Sequence, residues 1–366
     1  MSLPSATDSI ASTARRLAET LVYAAAGGLT LGTLGVPAGF LSGSILMVAI
    51  ASLAGRPLLV PLLLMRVLVV LIGTSLGAVV TPATLQGMAT YPLSIALLLV
   101  AMTFISIVGA AYLCVVHGWD KLTAYLAAAP GGLSQVIALG AELDADIRAI
   151  AIVQTVRVVI VAVGLPAGLS LLGLVGHGAR SIGGVFDPAK IGELTALVTA
   201  STITALIAFR IRFPGGLLFG AMLASAALHG TGVVDVRMPW WVTNTVMIAF
   251  GAVTGSRFVG TPLRLLAHFI GAALGSFAVA AVIAALFAAA LLAMLPLPTA
   301  EVMIAYAPGA VDAMMLLALA LNVDPVYVGA HHLMRIFVVS LAMPLMARRA
   351  GREIKSSEAL KPPFEE

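Results

Sequence analysis

The stretches "AAAPGGLSQ" at 127–135 and "AYAPGAVDA" at 305–313 lie 178 positions apart, and each sets Ala-Pro-Gly inside an apolar run. Proline removes a backbone donor and clashes with the carbonyl one turn back, and glycine adds backbone freedom. Each stretch therefore interrupts a helix, in a setting where a bilayer would offer the freed backbone no water. The composition requires that setting. The 366 residues are 61% hydrophobic and only 10% charged, with a mean hydropathy of +1.10, against about 25% charged residues in soluble domains. No Asp, Glu, Lys, Arg or His occurs from Val67 to Val116 or from Phe269 to Ala300. Each run exceeds the roughly 20 residues that cross a hydrocarbon core. An ordinary globular enzyme is excluded, and the chain reads as an all-α polytopic membrane protein whose first partner is the lipid bilayer.

The charges that remain mark edges. Arg15 and Arg16 precede an apolar run from Leu21 that resembles a signal peptide. No small-residue cleavage site follows, so an uncleaved first helix is expected. Arg348, Arg349, Arg352 and Lys355 follow the last apolar run and read as a cytoplasmic anchor, not a nucleic-acid patch. The single cysteine, Cys114, excludes an internal disulfide. No histidines or carboxylates stand at metal-ligating helical spacing, so no metal, cofactor or catalytic residue is expected.

Anchors recur at almost one offset, which reads as a tandem duplication. Gly73 and Gly77 match Gly251 and Gly255, Pro130 and Gly131 match Pro308 and Gly309, Asp146 matches Asp324, and Arg157 matches Arg335, all at 178. "VPAGFLSG" at 36–43 matches "FPGGLLFG" at 213–220 at 177, a one-residue slip. The chain divides into a cytoplasmic N-terminus (1–18), a first membrane repeat (19–175), a linker (176–190), a second membrane repeat (191–346) and a basic cytoplasmic tail (347–366). Each repeat offers five long elements and a short one. The Pro-Gly element occupies about 121–141 in the first and 300–321 in the second, each read as one Pro-Gly-broken helix. If all six elements span, there are twelve crossings and the repeats are parallel; if one per repeat is re-entrant, there are ten and the repeats are inverted. With the N-terminus inside and six spans per repeat, Arg56, Lys121, Arg180, Lys190, Arg237 and the tail fall inside, which favours twelve.

With both copies in view, the sequence resembles the AbrB-type duplicated membrane proteins of bacteria over about 20–346. The resemblance rests on "GVPAGFLSGSILMVA", "AAPGGLSQVIALGAELDADIRAIAIVQTVRV", "FPGGLLFGAMLA" and "YAPGAVDAMMLLALALNVDPVYVGAHHLMRI". It implies a bacterial inner-membrane protein of two hydrophobic repeats. Members of the family have been labelled regulators of gene expression and ammonia monooxygenases. The small soluble DNA-binding regulators that share the name are not similar to this chain.

The candidate solute- and ion-binding residues lie at and behind the two breaks. Pro130, Gly131 and Gly132 are followed by Ser134 and Gln135, and Pro308 and Gly309 by Asp312. A half-helix starting after each break presents free N–H groups to an anion. A carboxylate at Asp312 suits proton or cation coupling, or capping of its own half-helix. Asp146 and Asp324 read as N-caps, and Arg157 and Arg335 come eleven residues later, near mid-membrane. Arg335 is expected to pair with Asp312 or to contact the solute, with His332 beside it as a proton relay. Gly73 with Gly77 and Gly251 with Gly255 read as helix-packing faces.

These features favour a secondary transporter of a small anionic or zwitterionic solute, moved with a proton or cation at the interface of the repeats, with both termini cytoplasmic and a homo-oligomer left open. The alternative is a membrane-embedded sensor acting indirectly on gene expression. The absence of a metal motif weighs against a monooxygenase and against any enzyme.

Overall fold

A computed structural model describes residues 6–80, 91–130, 133–176 and 183–339. The described residues form helices: α1 (Ala6–Thr33), α2 (Gly39–Leu53), α3 (Leu62–Gly77), α4 (Tyr91–His117), α5 (Lys121–Ala128), α6 (Leu133–Glu142) and α7 (Ile147–Leu171). They continue with α8 (Ile191–Arg210), α9 (Gly216–Gly230), α10 (Trp240–Gly255), α11 (Leu263–Met294), α12 (Thr299–Tyr306) and α13 (Val311–Leu321). A last helix, α14, runs over 325–339. Among the described residues four helices are long and apolar enough to cross a membrane: α4, α7, α11, and α8 with the short 3-10 turn before it. The chain thus has the all-α architecture of a polytopic membrane protein.

Helix α1 starts at Ala6, well before the expected 19. No glycine or proline occurs between Ala6 and Ala26 to stop it, so helix runs through the charged segment. Further on, Ala38 (φ 52°) and Gly215 (φ 67°) precede α2 and α9 in the left-handed region, each just after a proline. Both turn the chain sharply, so α1 packs on α2 and α8 on α9.

Close helix crossings hold these pairs together. A methyl group on Gly73 would meet the Leu218 carbonyl oxygen, and one on Gly77 the Met222 carbonyl oxygen. On α10 the same contacts recur, Gly251 against the Leu41 carbonyl and Gly255 against the Ile45 carbonyl. Helices α3 and α10 therefore press their glycines onto the backbones of α9 and α2, the small-residue packing that substitutes for a hydrophobic driving force in lipid. A proline inside α7 is also accommodated: Pro166 cannot bond the Ala162 carbonyl, and the Ser42 hydroxyl donates to that oxygen instead, at 3.3 Å.

The two Pro-Gly elements differ from the expected broken helix. Thr123 Oγ1 accepts from the Asp146 N–H at 3.0 Å, Gln154 Nε2 donates to the Leu126 carbonyl at 2.9 Å, and Arg157 reaches the carbonyls of Ala128 and Ala129. Advancing from 146 to 157 on α7 thus matches advancing from 123 to 129 on α5, so the two helices run the same way. Helix α6 must then bring the chain back to Asp146, and the Leu126 side chain lies beside Gly140 on the returning arm. The segment is a hairpin of two short antiparallel helices, with Ala129 and Pro130 at the end of its first arm. Arms of 8 and 10 residues span only about 12–15 Å at 1.5 Å per residue, too little to cross. The element over 299–321 repeats the geometry: the Asp324 N–H donates to Glu301 at 3.2 Å, His332 meets the Ile304 carbonyl, and Arg335 reaches the carbonyls of Ala305 and Ala307. Proline breaks the helix, and the glycine freedom beside it allows the chain to reverse as well as kink.

The glycine crossings give a direct test. Gly73→Leu and Gly251→Leu should each destabilise the protein by at least about 1–3 kcal/mol, the range for overpacking, read as loss of thermal stability and monodispersity in detergent. Gly164→Ala, where a methyl meets nothing within 4 Å, should leave both unchanged.

Candidate functional site

Each hairpin tip begins where a short helix stops. The last carbonyls of any helix lack intrahelical donors; here Pro130 and Pro308 leave the Leu126 and Ile304 oxygens without one, although the Gly309 N–H reaches the Ala307 oxygen at 2.8 Å. The donors come from the helix that follows. Arg157 is 5% exposed and donates Nη1 to the Ala128 oxygen and Nη2 to the Ala129 oxygen, both at 3.2 Å. Arg335 is 4% exposed and donates Nη1 to the Ala307 oxygen at 2.9 Å and Nη2 to the Ala305 oxygen at 3.2 Å. A cation at a helix C-terminus also complements the negative end of its dipole. The next carbonyl back is served by Gln154 in the first copy and His332 in the second, residues 178 apart with one task.

The mouths of the hairpins match as well. Asp146 caps α7 by accepting from the N–H groups of Arg148 and Ala149, and Asp324 caps α14 through those of Val326 and Tyr327. Thr123 and Glu301 each receive the backbone N–H of the capping aspartate.

The two guanidiniums lie close enough for the charge of one to act on the other. Neither forms an ion pair among the described residues, and the Nε of each lacks a hydrogen-bond partner there. Among the described residues these two buried cations are balanced only by helix-end dipoles, which leaves excess positive charge, with donors to spare, at the tips. Beside the second tip, α7, α11 and α12 line an open pocket of about 420 Å³. Its wall is apolar from Ile160 to Leu172 and from Phe277 to Ala288, and Tyr306, Ala307 and Pro308 complete it.

Several predicted residues take other roles. Asp312 does not pair with Arg335; the cation whose charge reaches it is Arg257, at the end of α10. Nor does it cap α13, whose N-cap is Ala310 without a side-chain bond. Asp312 lies one residue inside the first turn, and the carbonyls behind the tip draw Arg335 away from it. His332 holds a carbonyl through Nε2, and its Nδ1 has no partner among the described residues. Pro130 and Pro308 are buried at the tips, with Gly309 beside the second. Gly131 and Gly132 lie outside the described residues. Ser134 and Gln135 fall on α6, with their side chains outside the described set.

Sequence reading missed a buried polar group on the outer turns of α14. Ser94 Oγ of α4 lies 2.6 Å from Tyr327 Oη and 2.7 Å from His331 Nε2, and the Tyr306 hydroxyl donates to the Ser94 carbonyl at 2.6 Å. His331 Nδ1 meets the Tyr327 carbonyl at 2.7 Å, and the Tyr91 ring stands edge-on to Tyr327 at 5.4 Å. Ser94 and Tyr91 lie more than 200 residues from their partners, which no local motif connects. The available signal was the adjacent "HH" at 331–332, where the other copy has Val153 and Gln154.

The equivalence of Gln154 and His332 is testable. His332→Gln keeps a donor for the Ile304 carbonyl and should leave thermal stability within about 0.5 kcal/mol, whereas His332→Leu strands that carbonyl and should cost about 1–3 kcal/mol. Arg335→Ala strands the Ala305 carbonyl and leaves the Ala307 carbonyl with the Gly309 N–H alone, so it should cost at least as much as His332→Leu in the same melting assay.

Comparison with known proteins agrees with this architecture. Residues 40–351 match the family described as "Transition state regulatory protein AbrB". A protein of Escherichia coli (strain K12) named "Putative regulator AbrB" is 27% identical over 328 residues, covering 87% of this chain and 92% of that protein. A protein of Bacillus subtilis (strain 168) named "Uncharacterized protein YhjN" is 23% identical over 295 residues, 75% of each chain. With a match that takes in both hairpins and both arginines, this chain belongs to the AbrB family.

Proposed function

We propose that this protein is a secondary transporter that moves a small anionic or zwitterionic solute through the junction of its two hairpin tips, with no catalytic step. The observation that carries the reading is the pair of buried guanidiniums, Arg157 and Arg335, neither with an ion-pair partner among the described residues. A buried charge without a counter-ion is costly, and inside a membrane such residues serve substrate or ion paths. A carboxylate or phosphate would complete the charge balance with charge-assisted bonds. The apolar pocket beside Pro308 suits a solute with a hydrocarbon portion, its charged end turned toward the tip.

The hairpins also change the reading of the topology. If each is re-entrant, each repeat crosses five times, the duplicated halves are inverted, and the hairpins enter from opposite faces. With the N-terminus inside, Arg15, Arg16, Arg56, Lys121, Arg148, Arg210, Arg212, Arg257 and Arg264 then lie inside, leaving Arg180, Lys190 and Arg237 outside. That distribution favours ten crossings over the twelve preferred from sequence, because the re-entrant segments reverse the side of every later loop up to the next hairpin. It supports a multi-pass protein of the bacterial inner membrane with both termini cytoplasmic. Lipid and the solute, with a proton or cation, are the proposed partners; nucleic acid is not. A homo-oligomer is compatible with this arrangement.

A second reading rests on the name of the Escherichia coli relative: a membrane-embedded regulator whose effect on gene expression is indirect. It differs by requiring no flux.

Two measurements test these proposals. Purified protein in vesicles should take up labelled succinate, glutamate or phosphate saturably, and Arg335→Lys, which keeps charge but loses the planar fork, should lower uptake about tenfold or more, equivalent to 1.4 kcal/mol. Failure of every one of these anions, with and without a proton gradient, would sink the transporter. For topology, Val185 in the linker is 85% exposed; in a Cys114→Ser background, Val185→Cys should react with an impermeant maleimide from outside intact cells. Protection until the cells are broken would restore the twelve-span arrangement.

A further inference from the structure

The hairpins are alike in capping but unlike in what surrounds their following helices. Around the first turns of α14 stand Tyr91, Ser94, Tyr306, Tyr327 and His331, all under 7% exposed. The positions 178 residues away are Phe269, Ala272, Ala128, Ala149 and Val153, every one apolar and part of the main core. One copy therefore keeps a dry packing site where the other carries a hydrogen-bonded chain.

The chain has a direction. The Tyr327 carbonyl can only accept, so His331 Nδ1 carries a proton and donates it there. In the neutral ring Nε2 is then a bare lone pair, and the Ser94 hydroxyl, 2.7 Å away, donates to it. Ser94 Oγ in turn accepts from the Tyr327 hydroxyl, 2.6 Å away. At the mouth of the hairpin the carboxylates of Asp324 and Glu301 are half-buried, and their charges reach Tyr91; that of Glu301 also reaches Tyr327. One turn deeper on the same helix lies Arg335, whose charge reaches His331, with His332 beside it and Arg157 beyond.

We propose that His331 is the proton-binding group of this protein, reached through Tyr327 and Ser94. A proton arriving on Tyr327 Oη releases that hydroxyl's own proton to Ser94 Oγ, and Ser94 passes its proton to His331 Nε2. Each hydroxyl ends with one hydrogen, and the ring gains one charge. The tyrosine rings around the imidazole, with Tyr327 at 4.2 Å and Tyr91 and Tyr306 at 6.1 and 6.2 Å between centroids, offer π faces and edges but no counter-ion. Arg335 opposes the new charge, so an anion bound beside Arg335 favours protonation, and by linkage the proton favours the anion. This coupling rests on the transport reading; the proton site itself does not.

The test uses full-length protein with ¹⁵N-histidine in lipid nanodiscs, no solute present, and His331 assigned by difference against His331→Gln. At neutral pH His331 should be the Nδ1–H tautomer, and it should become doubly protonated on titration from about pH 7 to about pH 3. Ser94→Ala and Tyr327→Phe should slow its proton exchange about fivefold or more, the factor equivalent to one hydrogen bond of about 1 kcal/mol. Ser94→Thr, which restores the hydroxyl, should recover the wild-type rate and shows that slowing is not a folding defect. The proposal is overturned by the Nε2–H tautomer at neutral pH, by a ring that stays neutral throughout the titration, or by equal exchange in wild type and Ser94→Ala. Absence of anion uptake in vesicles would remove the coupling and leave these results unaffected.

Discussion

A helix that stops inside a bilayer leaves carbonyl oxygens that neither water nor lipid can satisfy. Here Arg157 and Arg335 meet that need from the neighbouring helix, each spanning two carbonyls with its two terminal nitrogens. Without them, the tips of both hairpins would carry unpaired acceptors at membrane depth, each costing several kcal/mol. The hairpins, the direction of the chain leaving them and the polarity of the central junction all depend on this arrangement. A guanidinium suits the task better than an ammonium because its planar fork reaches two oxygens at once and keeps Nε free.

The rest of the molecule frames that junction. Glycines on α3 and α10 let α9 and α2 approach to backbone contact, while α7 packs on α11 and α4 on α11. Small residues at crossings and donors at helix ends answer the same constraint: lipid competes equally for apolar side chains and not at all for hydrogen bonds.

The two copies share their capping geometry and differ in the chemistry beside it. Gln154 and His332 serve the same carbonyl, as do Thr123 and Glu301 for the same N–H. Yet Ala149 and Val153 stand where Tyr327 and His331 form a polar chain with Ser94. An exactly repeated scaffold would treat its two halves alike, and a directional process needs them to differ.

The sequence by itself determined the membrane-type all-α class, the recurrence at 178, the glycine faces, the aspartate caps and the mid-helix depth of both arginines. Each of these follows from local chemistry: hydropathy over twenty residues, side-chain size, or a short polar side chain before a helix. It did not determine whether Pro-Gly bends a helix or reverses it, since proline and glycine permit the backbone of either, and loop charges counted with that element spanning favoured twelve crossings. The tertiary structure decided that through hydrogen bonds from α7 and α14 to carbonyls about 28 residues earlier. It also decided that Arg335 would face those carbonyls and not Asp312, and that Ser94 would join Tyr327 and His331, because such partners are chosen by packing between elements far apart in the chain.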